Sequence, residues 1–342
     1  MRIKVITGVI LMCMLSLITG CKRNAYKINI SGISADIELK RLEKDLFDPD
    51  PSEIPKKIEV LKEKYGDFFQ FFSYVIKAGD VEDPSFSDLL VEFCTDRLNN
   101  EVYSEVIRQY PEIESLERQL EDAFRHYLWY FPGNSVPEIY TCITGFNRSI
   151  ITIRGASVLG IGLDGYLGKD SDYYPRLGIY RYVSARMNSY NIVPDCMYAL
   201  AATLWDFEFM NYQTGDVLTE MIHEGKLKYF ERCMLPETGD TLLFGFTADQ
   251  MKFCRNNERQ IWQYLVEHDL LFSTDQMVVR KLVGEAPFTS YFTVESPGRA
   301  AVWIGYRIVE NFMENNKEVD LETLMENTDI QGLLEKAGYN PQ

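Results

Sequence analysis

The chain has 342 residues, a formal net charge of −16 and 51 acidic side chains. That sign of charge excludes nucleic acid as a partner, since phosphate is held by clustered Lys and Arg, and it opposes a body lying flat on an anionic membrane. The length allows one large domain or two small ones with ample core.

At the N-terminus, Arg2 and Lys4 precede an apolar run from Val5 to Ile18, too short to span a bilayer comfortably. The run ends in Ile18-Thr19-Gly20-Cys21, an aliphatic residue, then small ones, then cysteine. This is the bacterial lipobox, at which the Cys21 thiol receives a diacylglyceryl group before cleavage. Two or three acyl chains make a stable anchor, each buried methylene contributing about 0.8 kcal/mol. Residues 1–20 are therefore expected to be a lipoprotein signal peptide, 21–30 a lipid anchor and tether, and 31–342 a single domain. Lys22-Arg23-Asn24 place no Asp directly after the cysteine and bring no acidic cluster. The expected address is the outer membrane, facing the periplasm rather than the cell surface.

From the end of the tether onward, Ile28 and Ile30, then Ile37 and Leu39, alternate with polar residues, as in strands or an extended arm. Pro51 to Lys77 reads as a helix with Ile58, Leu61, Tyr65, Phe68, Phe69 and Phe72 near one stripe. Helices follow at about Ser87–Leu98 and from Glu112 to Tyr130, the latter stopped by Pro132-Gly133. The period then changes: Pro137–Thr144, Ser149–Ile153 and Ser157–Leu163 are short, rich in Ile and Thr and separated by turn residues, which predicts a small antiparallel sheet. A Gly, Asp and Tyr loop follows at 162–175.

From Pro194 the pattern is helical again, with Met197, Leu200, Ala201, Leu204 and Trp205 on the first helix. Another runs from Asp216 to Pro236, where the spacing of Glu224 and Lys228 suits a solvated face carrying one ion pair. Thr247-x-x-Gln250 is a capping box opening a helix through Trp262 and Leu265. Pro297-Gly298 opens RAAVWIGYRIVENFM, apolar nearly all round and so a buried helix, and the last helix runs from Asp320 to Gly338. The predicted class is α+β, predominantly helical.

Catalytic constellations are sparse. His223-Glu224 begins a zinc-protease helix signature, but the second histidine would fall at 227, which is Leu. His126, His223 and His268 are remote from one another, and Gly155-Ala156-Ser157-Val158-Leu159 lacks the second glycine of a nucleophile elbow. Five cysteines remain after Cys13 and Cys21, without a C-x-x-C pair, so buried free thiols are expected. No metal and no cofactor is expected. Glu295-Ser296-Pro297-Gly298-Arg299 places an acid and a base at the start of the most buried helix. Arg299 needs a carboxylate there, from Glu295 or the loop at Asp164, and the set reads either as a salt bridge fixing the helix entry or as a ligand cleft.

Several blocks together carry a resemblance: FRHYLWYFPGNSVPEIYTCITGFN (124–147), LGIGLDGYLGKDSDYY (159–174), MIHEGKLKYFERCMLP (221–236), NERQIWQYLVEHDLLFST (257–274) and APFTSYFTVESPGRAAVWIGYRIVENFM (286–313). They resemble the gliding-motility lipoprotein family GldB of the Bacteroidetes, whose members are associated with gliding and polymer utilisation and are not known enzymes. That family is distantly similar to gluzincin-type zinc proteases, in which an HExxH helix precedes an E-G-x-x-x-Y-F turn supplying a Glu ligand. Glu224–Phe230 matches the turn, whereas 194–209 has no histidine. The resemblance thus implies a zincin-like scaffold without metal, a non-catalytic envelope lipoprotein. It would bind an envelope protein through a cleft carrying Asp164, Glu224, Lys226, Glu295 and Arg299. Two alternatives are a zinc hydrolase using Glu224 and a glycan-capturing lipoprotein, the latter suggested by 13% aromatic residues.

Overall fold

A mid-chain sheet whose inner strands are buried on both faces sets the architecture. The computed structural model describes residues 26–153, 155 and 157–342. The expected signal peptide and Cys21 lie outside the described residues. Four strands, β1 (Leu39–Arg41), β2 (Glu138–Cys142), β3 (Ile150–Thr152) and β4 (Val158–Gly162), form one sheet in the order β1-β2-β4-β3. The strands fall where sequence places them, but the antiparallel pairing is corrected. β1 pairs with β2 and β2 with β4 in parallel, and β3 with β4 alone is antiparallel. The chain leaves β2, crosses to the far edge as β3 and returns as β4 between the two. β4 is buried throughout, and a strand covered on both faces suits parallel pairing.

The sheet separates two cores. Tyr140, Cys142 and Val158 point to one side and Ile139, Leu159 and Ile161 to the other, as alternation along a strand requires. On the first side lie α1 (Leu42–Phe47), α2 (Ile54–Val75) and α3 (Phe86–Thr95). The six predicted stripe residues of α2 are all buried. The Phe68 ring stacks on Tyr140 at 4.4 Å, worth about 0.5–1.5 kcal/mol beyond area burial. Gly160 permits that stack, because a Cβ there would lie 2.3 Å from the Phe68 ring.

On the second side lie α4 (Arg97–Gln109) and α5 (Glu114–Tyr130), then two single turns, α6 (Tyr173–Arg176) and α7 (Arg181–Ser184). α4 escaped the sequence reading; Asp96 caps it by accepting from the Asn99 amide at 2.9 Å. The helical body continues as α8 (Ile192–Leu204), α9 (Val217–Met234), α10 (Asp240–Phe244) and α11 (Ala248–Asn256). It closes with α12 (Glu258–Glu267), α13 (Gln276–Val283), α14 (Ala300–Asn315), α15 (Leu321–Glu326) and α16 (Ile330–Ala337). The Thr247–Gln250 capping box is present as expected. The predicted helix through Leu265 divides at Asn257 into α11 and α12, and the C-terminal one divides into α15 and α16.

α9 and α14 cross in the middle of this body, backbone against backbone. A Cβ on Gly225 would meet the Gly305 carbonyl carbon at 2.3 Å, and one on Gly305 would meet the Met221 oxygen at 1.7 Å. The five cysteines are free and buried, as expected, and burial pushes each thiol well above its usual range. The segment 26–33 is fastened to the body: Tyr26 donates to Glu310 at 2.7 Å, and Arg125 donates to the Ile30 and Ile33 carbonyls at 2.8 and 2.9 Å.

Candidate binding site

α9 is buried on nearly all sides, and this overturns the solvated-face reading of its charges. Lys228 is buried and does not pair with Glu224. Its ammonium donates to Glu231 at 2.7 Å and to the Leu243 carbonyl at 2.8 Å, and it lies 4.6 Å over the Tyr198 ring. Burial pushes Lys228 down and Glu231 up, each shift opposed by the other's charge. Glu224 accepts from the Tyr198 hydroxyl through both oxygens, at 3.0 and 2.9 Å. Burial, and then the Glu224 charge, hold Tyr198 well above the phenolic range. Glu224 therefore sits inside a continuous helix, and Gly225 beside it serves the α14 crossing rather than a turn.

Next to this pair lies a cleft of about 180 Å³ walled by Phe244, Phe246, Pro287 and Pro297, with Arg186 and Arg299 on its charged side. Both guanidiniums close on one atom, the Oε1 of Glu285, at 3.2 Å from Arg186 and 3.1 Å from Arg299. Arg186 also donates to Asp195 at 3.0 Å, and Asp195 in turn accepts from the Tyr166 hydroxyl at 3.0 Å. Arg299 donates to the Phe244 carbonyl at 3.2 Å. It does so from the left-handed region, φ 57, at the N-cap of α14. Such a backbone costs about 1–3 kcal/mol for a non-glycine residue and persists only where its surroundings impose it. Here the segment 284–299 imposes it. Thr289 donates its amide and its hydroxyl to the Pro297 carbonyl at 2.9 and 2.8 Å, and its hydroxyl oxygen accepts from the Ala300 amide at 3.0 Å.

The five residues proposed from sequence do not form one site. Arg299 and Glu224 border the cluster just described. Glu295 is exposed, and a hydrogen bond from Thr293 holds its carboxyl below the usual range; Arg299 finds Glu285 instead. Asp164 is fully buried and accepts from the Phe146 amide, the Thr144 amide and the Thr144 hydroxyl, so it fixes the loop after β2. Burial raises its carboxyl to about 6. Lys226 points elsewhere, donating to the Met325 and Asn327 carbonyls at 3.0 and 2.9 Å, and burial lowers it to about 7. Arg186, Asp195, Tyr198, Glu231 and Glu285 were not found from sequence. A signal existed for Glu231: α9 keeps apolar residues around its charges, which only a buried ion pair reconciles with a helix core.

Each histidine has a hydrogen-bond partner close to it in the chain. His126 faces the Asp122 carbonyl at 2.8 Å, His223 the Tyr212 hydroxyl at 3.0 Å and His268 the Tyr264 carbonyl at 3.0 Å. Among the described residues no group of three or more His, Cys, Asp and Glu is placed to hold a metal ion. None of the helices there is long and apolar enough to cross a membrane.

The fold and the site describe a predominantly helical α+β body whose interior charged groups are each held by hydrogen bonds or ion pairs, beside an arginine-edged cleft. The family described as gliding motility protein GldB matches residues 23–341, and the chain belongs to that family of gliding-motility lipoproteins, which is not known as an enzyme family. No curated protein and no solved structure matches, so the zinc-protease likeness gains no support.

Proposed function

We propose that the protein is a non-catalytic lipoprotein, acylated at Cys21 and held on the periplasmic leaflet of the outer membrane, that docks an envelope protein on the face carrying the Arg186–Arg299 cleft. The supporting observation is the commitment of the interior polar groups: Glu224 to Tyr198, Lys228 to Glu231, Asp195 to Arg186. A general base or nucleophile must have a reactive atom within reach of a substrate, and these atoms are satisfied by neighbours. The family assignment supports the envelope role.

Replacing Cys21 with Ala tests the anchor. The variant is expected in the soluble fraction after cell lysis, and its retention with membranes would sink this reading. Arg299→Glu, which reverses the charge at the cleft, tests the docking face. A strain whose sole copy carries it is expected to lose surface spreading, and Val183→Glu on the exposed rim, which breaks no internal pair, is expected to give the same loss with the protein at normal abundance.

A further inference from the structure

We infer that the cleft binds the C-terminal carboxylate of a polypeptide whose last side chain is apolar, and that Glu285 occupies the carboxylate position until the partner arrives. The inference rests on the docking reading above and adds the chemistry of what is docked. Two guanidiniums converge on a single oxygen of Glu285, whose side chain is 56% exposed and reaches them from the segment after α13. The cations are built in. Arg186 is fixed by Asp195, and Arg299 by a strained backbone and the Phe244 carbonyl. The carboxylate is the replaceable member of the set. In addition, the Nε of Arg186 is buried with no acceptor among the described residues, so the donor set there is incomplete. The guanidinium, planar and always charged, is the group that proteins use to recognise carboxylates.

The remaining walls specify what is attached to that carboxylate. Phe244, Phe246, Pro287 and Pro297 enclose room for one apolar side chain beside the arginines. An α-carboxylate sits one bond from the carbon that bears its own side chain, so a chain terminus fills both subsites with one residue. The preceding residues of the partner would cross the rim, where Tyr182 lines the cleft and stacks on Tyr180 at 5.8 Å. Tyr180 is 70% exposed and Val183 next to it 41% exposed, an apolar lip on a protein of net charge −16. The lip offers apolar contact to the preceding residues, and the two guanidiniums supply the local attraction for an anionic chain end against the bulk repulsion.

The probes are acetylated tripeptides ending in Leu, as the free acid and as the carboxamide, and an amidated tripeptide with Glu in place of the terminal acid. They are titrated into the full-length protein in detergent and followed by Trp fluorescence, since Trp303 lies 5.2 Å from Phe244. The free acid is expected to bind at least tenfold more tightly than either amidated probe. Glu285→Gln is expected to tighten the free acid about tenfold, and Arg299→Lys to weaken it about tenfold with a native far-ultraviolet spectrum. Equal binding of acid and carboxamide, or tighter binding of the Glu probe, overturns the inference, as does a Glu285→Gln variant that binds no better. If no probe binds but Arg299→Glu still abolishes spreading, the carboxylate assignment fails while the docking face stands. If Arg299→Glu spreads normally, the docking reading itself fails.

Discussion

His223 shows how a single buried group makes the whole protein sensitive to acid. Burial, and secondly the Lys226 charge, lower its imidazole from 6.5 to about 3. Between those values the unfolded chain takes up a proton that the folded ring refuses, so stability falls as pH falls through that window. His223→Gln is expected to remove about 1.4 kcal/mol per pH unit of that slope, read from urea unfolding between about pH 6 and pH 4. An unchanged slope would show that the ring is protonated in the fold. Lys228 behaves differently, because its partner is buried with it. Lys228→Met leaves Glu231 uncompensated and is expected to cost about 3–5 kcal/mol, whereas adding Glu231→Leu should restore most of the loss. Equal losses for the single and double variants would contradict the pairing. From sequence, Lys228 and Glu224 looked like partners because helical spacing reports which side chains share a face, but not whether that face meets water. Arg299 was correctly placed at a helix entry in need of a carboxylate. Its partner Glu285 was missed because the two meet through the folding of segment 284–299 back on itself.

At the level of elements, the crossing of α9 and α14 is the contact most sensitive to a single atom. Gly305→Ala puts a methyl group into the Met221 carbonyl and Gly225→Ala puts one into the Gly305 backbone. Each is expected to cost on the order of 1–3 kcal/mol, seen as a lower urea midpoint with a native far-ultraviolet spectrum. A neutral outcome would mean that the helices can separate without loss. Sequence rules found the elements whose signals are local. The stripe of α2, the Thr247 capping box, the positions of β2, β3 and β4, and the buried character of α14 were all legible. They failed where the determinant lies elsewhere in the chain. Strand direction follows from β1 arriving along β2 and from β4 inserting between β2 and β3, which no turn between neighbouring segments records. The same holds for Gly225: beside Glu224 it resembles a motif, and only its neighbour across the helix crossing explains it.

At the level of the molecule, one sheet serves two cores, since β2 and β4 send alternate residues to each. Cys94 and Cys142 lie in the aromatic core of α2 and α3, and Cys196, Cys233 and Cys254 in the helical body. Because each core uses the opposite face of the same strands, neither opens without exposing the other. All five thiols are therefore expected to become reactive together across a urea titration, tracked by labelling and mass spectrometry. Earlier labelling of Cys94 and Cys142 would show that the aromatic core unfolds independently.

The fastening of Tyr26 to Glu310 also sets the reach of the body. Tyr26 follows Cys21 by five positions, with four residues between them, a step that a fully stretched chain covers in at most about 18 Å. Flexible linkers of many tens of residues let a domain roam; this one is a short mooring. Were Cys21 acylated as proposed, the polar cavity of about 410 Å³ beside Tyr26 would ride close to the lipid headgroups. Whatever engages the protein would then have to come to the membrane surface to do so.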